Sequence, residues 1–132
     1  MALSIEVSRP TGAGERTLDE VKAEMMRRAG RLSPFEEIRR ADAQQVMNAL
    51  TSLDRDHWAE QWCKIGLAYE AEGDARAKAG ATRAELAELY TMGFDACRVG
   101  RYPAPTSPGQ LAAYRHSLRI FRKAAQHVES PG

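Results

Sequence analysis

Apolar residues recur along most of this chain at steps of three and four, the spacing that gathers side chains on one side of an α-helix. Leu18, Val21, Met25, Ala29 and Leu32 predict a first helix that ends at Gly30. Phe35, Ile38, Ala41, Val46, Ala49 and Leu50 predict a second over Pro34 to Leu50, its apolar side interrupted by Asp42 and Gln45. A third, over Arg55 to Ala79, carries Trp58, Trp62, Ile65 and Tyr69 on one face. Its second half holds the small-residue stripe Ala68, Ala71, Ala75 and Ala79, which suits close helix approach, and Gly80 is its stop. Leu86, Leu89, Tyr90, Gly93, Phe94 and Cys97 predict a fourth helix over Arg83 to Val99, closed by Gly100. The fifth, Pro108 to Val128, is the most regular: Leu111, Tyr114, Leu118, Phe121, Ala125 and Val128.

Local chemistry at the segment ends supports the same division. Thr17-Leu-Asp-Glu20, Thr82-Arg-Ala-Glu85 and Ser107-Pro-Gly-Gln110 are capping-box patterns, in which a hydroxyl and a side-chain carbonyl each satisfy an otherwise unpaired backbone N–H. Ser33-Pro34-Phe35-Glu36 has the same form, with proline at the first helical position, where its missing N–H costs little. Pro103 and Pro105 disfavour helix between Arg101 and Thr106, so that segment is expected to be a loop.

The expected fold is therefore all-α, an antiparallel bundle of about five helices spanning residues 17–129. Residues 1–16, with Pro10, Gly12 and Gly14, read as a flexible arm or one short extended segment over Leu3 to Val7, and residues 130–132 as a linker or terminus. The most regular positions, Trp62, Ile65, Tyr69, Leu86, Leu89, Leu118 and Phe121, are expected in the core. On that expectation, replacing Phe121 by Ala costs roughly 3 to 5 kcal/mol.

Composition narrows the function classes. A chain of 132 residues fits one domain, and 43% hydrophobic with 28% charged residues is a globular composition. A net charge of +1 offers no global field for nucleic acid. No apolar stretch approaches the roughly 20 residues of a membrane span, and early Glu6, Arg9 and Glu15 argue against a secretory signal, so a cytoplasmic location is expected. Cys63 and Cys97 fall within apolar helical patterns without metal-ligand spacing and read as buried, reduced thiols. His57, His116 and His127 lack zinc-binding intervals, so neither a metal nor another cofactor is expected.

No catalytic motif is present. No serine stands in G-x-S-x-G, and Ser33 and Ser107 read as helix caps. Gly12-Ala-Gly14 lacks the rest of a phosphate loop. Arg115, Arg119, Arg122 and Lys123 read as the solvated back of the fifth helix, with a docking face for an acidic partner as the sharper alternative.

Two stretches resemble known families. Trp62-Cys-Lys-Ile65-Gly66-Leu-Ala-Tyr69 is similar to the opening of a tetratricopeptide repeat, but no second copy follows at a 34-residue period. The broader likeness covers Trp58 to Ser130. The tryptophan-bearing helix ending at Lys78-Ala-Gly80, the helix with Ala87 to Tyr90 and Phe94, the Tyr102-Pro103 loop and the Gln110-Leu-Ala-Ala-Tyr114 helix resemble the N-terminal helical domain of certain α/β-hydrolases. These are of the 2,6-dihydroxypseudooxynicotine hydrolase and fermentation-respiration switch protein-like esterase types. The resemblance implies a cap that covers a catalytic α/β domain carrying a Ser-Asp-His triad. The catalytic part would begin after Pro131-Gly132, so no triad residue is carried over and this chain alone is expected to lack esterase activity. The implied partners are that catalytic domain and, through it, a small-molecule ester or a substrate with an activated C–C bond; a homo-oligomer stays open. A cap shapes a pocket with apolar and aromatic groups, and Tyr90, Phe94 and Tyr102 are the expected substrate-facing residues. The alternative is an independent helical interaction module with a tetratricopeptide-like helix hairpin.

Overall fold

The computed structural model describes residues 16–102 and 104–128. The expected arm apart from Arg16, the extended segment over Leu3 to Val7, Pro103 and the linker at 130–132 lie outside the described residues. Five helices follow one another: α1 (Leu18–Arg28), α2 (Arg40–Ala49), α3 (Arg55–Lys78), α4 (Arg83–Gly100) and α5 (Pro108–His127). The fold is all-α, with no strand among the described residues.

Three helix starts follow the side chains expected to set them, while α4 runs through the expected stop Gly100 to a C-cap at Arg101. Thr17 with Glu20, Thr82 with Glu85, and Ser107 with Gln110 each form a complete capping box, and Asp54 caps α3 by accepting from the His57 N–H. Gly30 and Gly80 take positive φ just beyond α1 and α3, as a helix exit requires.

Helix two departs from expectation. It starts at Arg40, six residues later than predicted, with no side-chain cap, and Ser33 precedes a cis peptide bond to Pro34 instead of capping a helix. The intervening chain is a series of turns in which Gly30 N–H donates to the Phe35 carbonyl. Those turns bury Phe35 and Ile38 together, and that burial outweighs the helix signal carried by the proline.

Helices α3, α4 and α5 form the centre of the molecule. Gly66 meets Gly93 and Cys97, Gly73 meets Tyr90, and Gly100 meets Trp62, so α3 and α4 run antiparallel. Gly93 against Ile120 and Gly100 against Ala113 set α5 antiparallel to α4. A Cβ added at Gly66 would fall on the Cys97 sulfur and 2.9 Å from the Gly93 carbonyl oxygen. Glycine is what lets these two helices approach. The alanine stripe Ala68, Ala71, Ala75 and Ala79 faces solvent and plays no part in the approach.

Two apolar clusters use opposite sides of the α3–α4 pair. One joins Met25, Phe35, Ile38, Val46 and Leu50 to Trp62, Ile65 and Val99. The other joins Cys63, Leu86, Tyr90 and Cys97 to Ala113, Ile120 and Ala124 on α5. Of the expected core, Trp62, Ile65 and Leu86 are buried, while Tyr69 and Leu89 are half-buried. Leu118 and Phe121 are not core: they are 37% and 52% exposed. Helix α5 instead turns inward the stripe Ala113, Ser117, Ile120 and Ala124, with Ala113 seated against Gly100 and Ile120 against Gly93 of α4.

Candidate functional site

The inward choice of α5 leaves its larger apolar stripe outside. Leu111, Tyr114, Leu118, Phe121 and Val128 all stand exposed along one side of the helix. Phe94 of α4 reaches the same side, its ring 5.3 Å from that of Phe121. The Arg101 guanidinium lies 5.3 Å above the Tyr114 ring near the other end. Among the described residues, these apolar positions form a stripe at helix-packing intervals that stays largely exposed.

The basic residues of α5 do not form the uniform solvated back expected of them. Arg119 grips the buried Glu70 of α3 with two bonds of 2.9 and 2.8 Å. Lys123 reaches Glu70 at 2.8 Å and Asp74 at 3.1 Å. The Arg119 guanidinium, with Lys123 behind it, holds the Glu70 carboxyl down to about 2. Arg115 and Arg122 remain exposed, and the first turn of α5 has no acidic side chain. Both flank the apolar stripe.

A second feature lies at the junction of α1, the turns before α2, the start of α3 and the α4–α5 loop. It is a cleft of about 540 Å³. Met25, Phe35, Leu53 and Trp58 supply its apolar lining, and Tyr102 contributes from the loop. Arg16, Arg28, Arg55 and Glu24 supply its charges. Trp58 is fixed by its indole N–H, which donates to the Val99 carbonyl at 2.9 Å, and by edge contact with Phe35.

The three residues expected to face substrate fall into three surroundings. Tyr90 is buried: its hydroxyl donates to Asp74 at 2.6 Å, its ring stacks on His127, and Gly73 makes room for it. Burial and the Asp74 carboxylate push its phenol up to about 12, so it stays a donor in a structural bond. Phe94 joins the apolar stripe, and Tyr102 lines the cleft. Sequence reading missed Arg55, Trp58 and Phe35 as cleft residues. Their convergence needs the turns before α2, which carried a helix signal.

Cys63 and Cys97 are buried free thiols, and no group of three or more metal-ligating side chains gathers among the described residues. No helix among them is long and apolar enough to cross a membrane. The fold and site thus define an all-α bundle with an uncovered apolar helix face. No family model, curated protein or solved structure matches the chain.

Proposed function

We propose that this chain is the helical cap and substrate-shaping domain of a serine-dependent α/β-hydrolase acting on an ester or an activated C–C bond. The observation that carries the reading is the exposed stripe of α5, Leu111 to Val128 with Phe94 beside it. It is the surface a cap needs against the domain it covers. The likeness of Trp58 to Ser130 to hydrolase N-terminal domains supplies the identity of that domain. The charge of α5 supports a heterologous partner: a second copy of the same helix would set Arg115 and Arg122 against like charges, whereas an apolar groove rimmed by carboxylates would complement them.

Among the described residues no serine is paired with a histidine, and the one hydroxyl near an imidazole, Thr51 at 3.4 Å from His57 Nε2, shares that nitrogen with the Thr51 N–H. Ser107 is spent as a cap, and Ser117 is buried with its hydroxyl donating to the Tyr114 carbonyl at 2.6 Å. Catalysis would belong to the covered domain, and the cap would exclude water from it. The test is the full product of the gene, assayed with an activated ester beside this 132-residue chain. Turnover is expected from the full product alone, abolished by substituting the triad serine. A full product without a serine-dependent hydrolase domain overturns the reading and leaves the interaction module in its place.

A further inference from the structure

We propose that the cleft beside Trp58 and Arg55 is a binding site for a planar aromatic carboxylate. Its volume of about 540 Å³ is of small-molecule size, since ligand pockets run from roughly 300 to 1,000 Å³. The site needs neither a partner on α5 nor a catalytic domain, so it stands apart from the function proposed above.

Shape and lining select the ring. Trp58 and Tyr102 bring two accessible aromatic rings to one cleft, with the buried Phe35 set edge-on against Trp58 at its floor, and flat rings are surfaces on which another flat ring packs well. The walls are set before any ligand arrives. Trp58 is held by its bond to Val99, and the Gln110 amide, itself buried, ties the loop in place by donating to the Tyr102 carbonyl and accepting from the Thr106 and Ser107 N–H groups. A preordered pocket loses little entropy on binding.

Charge selects the carboxylate. Among the described residues, three guanidinium groups face one carboxylate, an excess of two positive charges. Glu24 does not cancel the excess locally, because it is bound to Arg28 and also to Arg27, which lies outside the cleft. Arg28 is occupied by Glu24 and by the Ser33 carbonyl at 2.7 Å. Arg55 is different: among the described residues its one side-chain bond is to the neutral Thr106 hydroxyl at 2.8 Å. A guanidinium with an uncompensated charge and spare N–H groups beside an aromatic wall matches the fork geometry of a carboxylate.

Calorimetric titration of the chain with 2-naphthoate and with the neutral 2-naphthamide tests the assignment. The carboxylate should bind about tenfold more tightly than the amide, the discrimination expected of one charge-assisted hydrogen bond. Arg55→Gln should bring the affinity for 2-naphthoate down to that for the amide, and Tyr102→Ala should weaken both probes. If Arg55→Gln does not fold, Arg16→Gln at the exposed rim takes its place and should reduce the preference. Equal affinity for the two probes, no saturable binding of 2-naphthoate, a preference that survives the arginine variant, or displacement by an equal concentration of inorganic phosphate would each overturn the proposal.

Discussion

Two buried carboxylates show how residues of one type come to act with opposite sign. Glu70 sits between Arg119 and Lys123, and its folded value near 2 lies below its ordinary 4.5. The fold therefore binds the Glu70 proton less well than the unfolded chain does. Its stabilisation is complete above pH 4.5 and is lost as pH falls towards 2. Glu70→Gln should lower stability by about 1 to 2 kcal/mol at pH 7, a figure held down by the partial exposure of both cations. Urea unfolding at pH 7 and pH 3 should show the difference between native and variant shrinking at the lower pH. Asp95 is the reverse case. Burial pushes it up to about 6 despite Arg98 at 3.5 Å, so the fold favours its protonated form. That preference is fully present below its ordinary 3.8 and is lost as pH rises through 6, where the buried charge becomes a cost. Asp95→Asn should stabilise the protein at pH 8 by about 1 kcal/mol, less than the shift alone implies because Arg98 loses its partner. Below pH 4 the same variant should be neutral, and a constant difference across the pH range would contradict the burial account.

At the level of the element, α5 carries two apolar stripes, and the larger is not the one it buries. Ile120 has no exposed surface and packs 3.3 Å from the Cβ position of Gly93, while Phe121 next to it is 52% exposed. Ile120→Ala should cost about 2 to 5 kcal/mol, and Phe121→Ala under about 1 kcal/mol. The order of the two unfolding midpoints decides between the observed face and the one that periodicity selects. The α3–α4 contact makes a comparable demand. Gly66→Ala would force a methyl group against the Cys97 sulfur and the Gly93 backbone, so a loss of about 1 to 3 kcal/mol is expected. Ala71→Gly, on the exposed alanine stripe, should cost only the helix-propensity difference, about 1 kcal/mol.

For the whole molecule, the uncovered face and the cleft make separable demands. Phe121→Glu should leave the bundle folded, because the ring is half outside, and should weaken whatever attachment the α5 face makes. If the chain is the cap proposed above, this predicts for the full gene product an unchanged helical circular dichroism spectrum together with faster proteolytic release of the helical domain. Arg122→Glu should have the same direction of effect and a stronger dependence on salt, because it reverses a charge at the edge of the stripe. Equal protease sensitivity of native and variant proteins would remove the α5 face from the interface.

The helix termini are the part of this protein that the sequence by itself determined. Thr17, Asp54, Thr82 and Ser107 all cap the helices that follow them, because a cap involves residues only three positions apart and needs nothing from the rest of the fold. That same locality misled at Ser33-Pro34, where the pattern was present but burial of Phe35 and Ile38 set the backbone. Tertiary structure alone decided which stripe of α5 turns inward. Periodicity measures how apolar a face is, whereas burial depends on how closely it fits the helices beside it, and Gly93 and Gly100 of α4 receive Ile120 and Ala113 from a face otherwise made of small residues. The cleft was decided at the same level, since Phe35, Arg55, Trp58 and Tyr102 come from three segments that meet only when the turns before α2 fold back onto the start of α3.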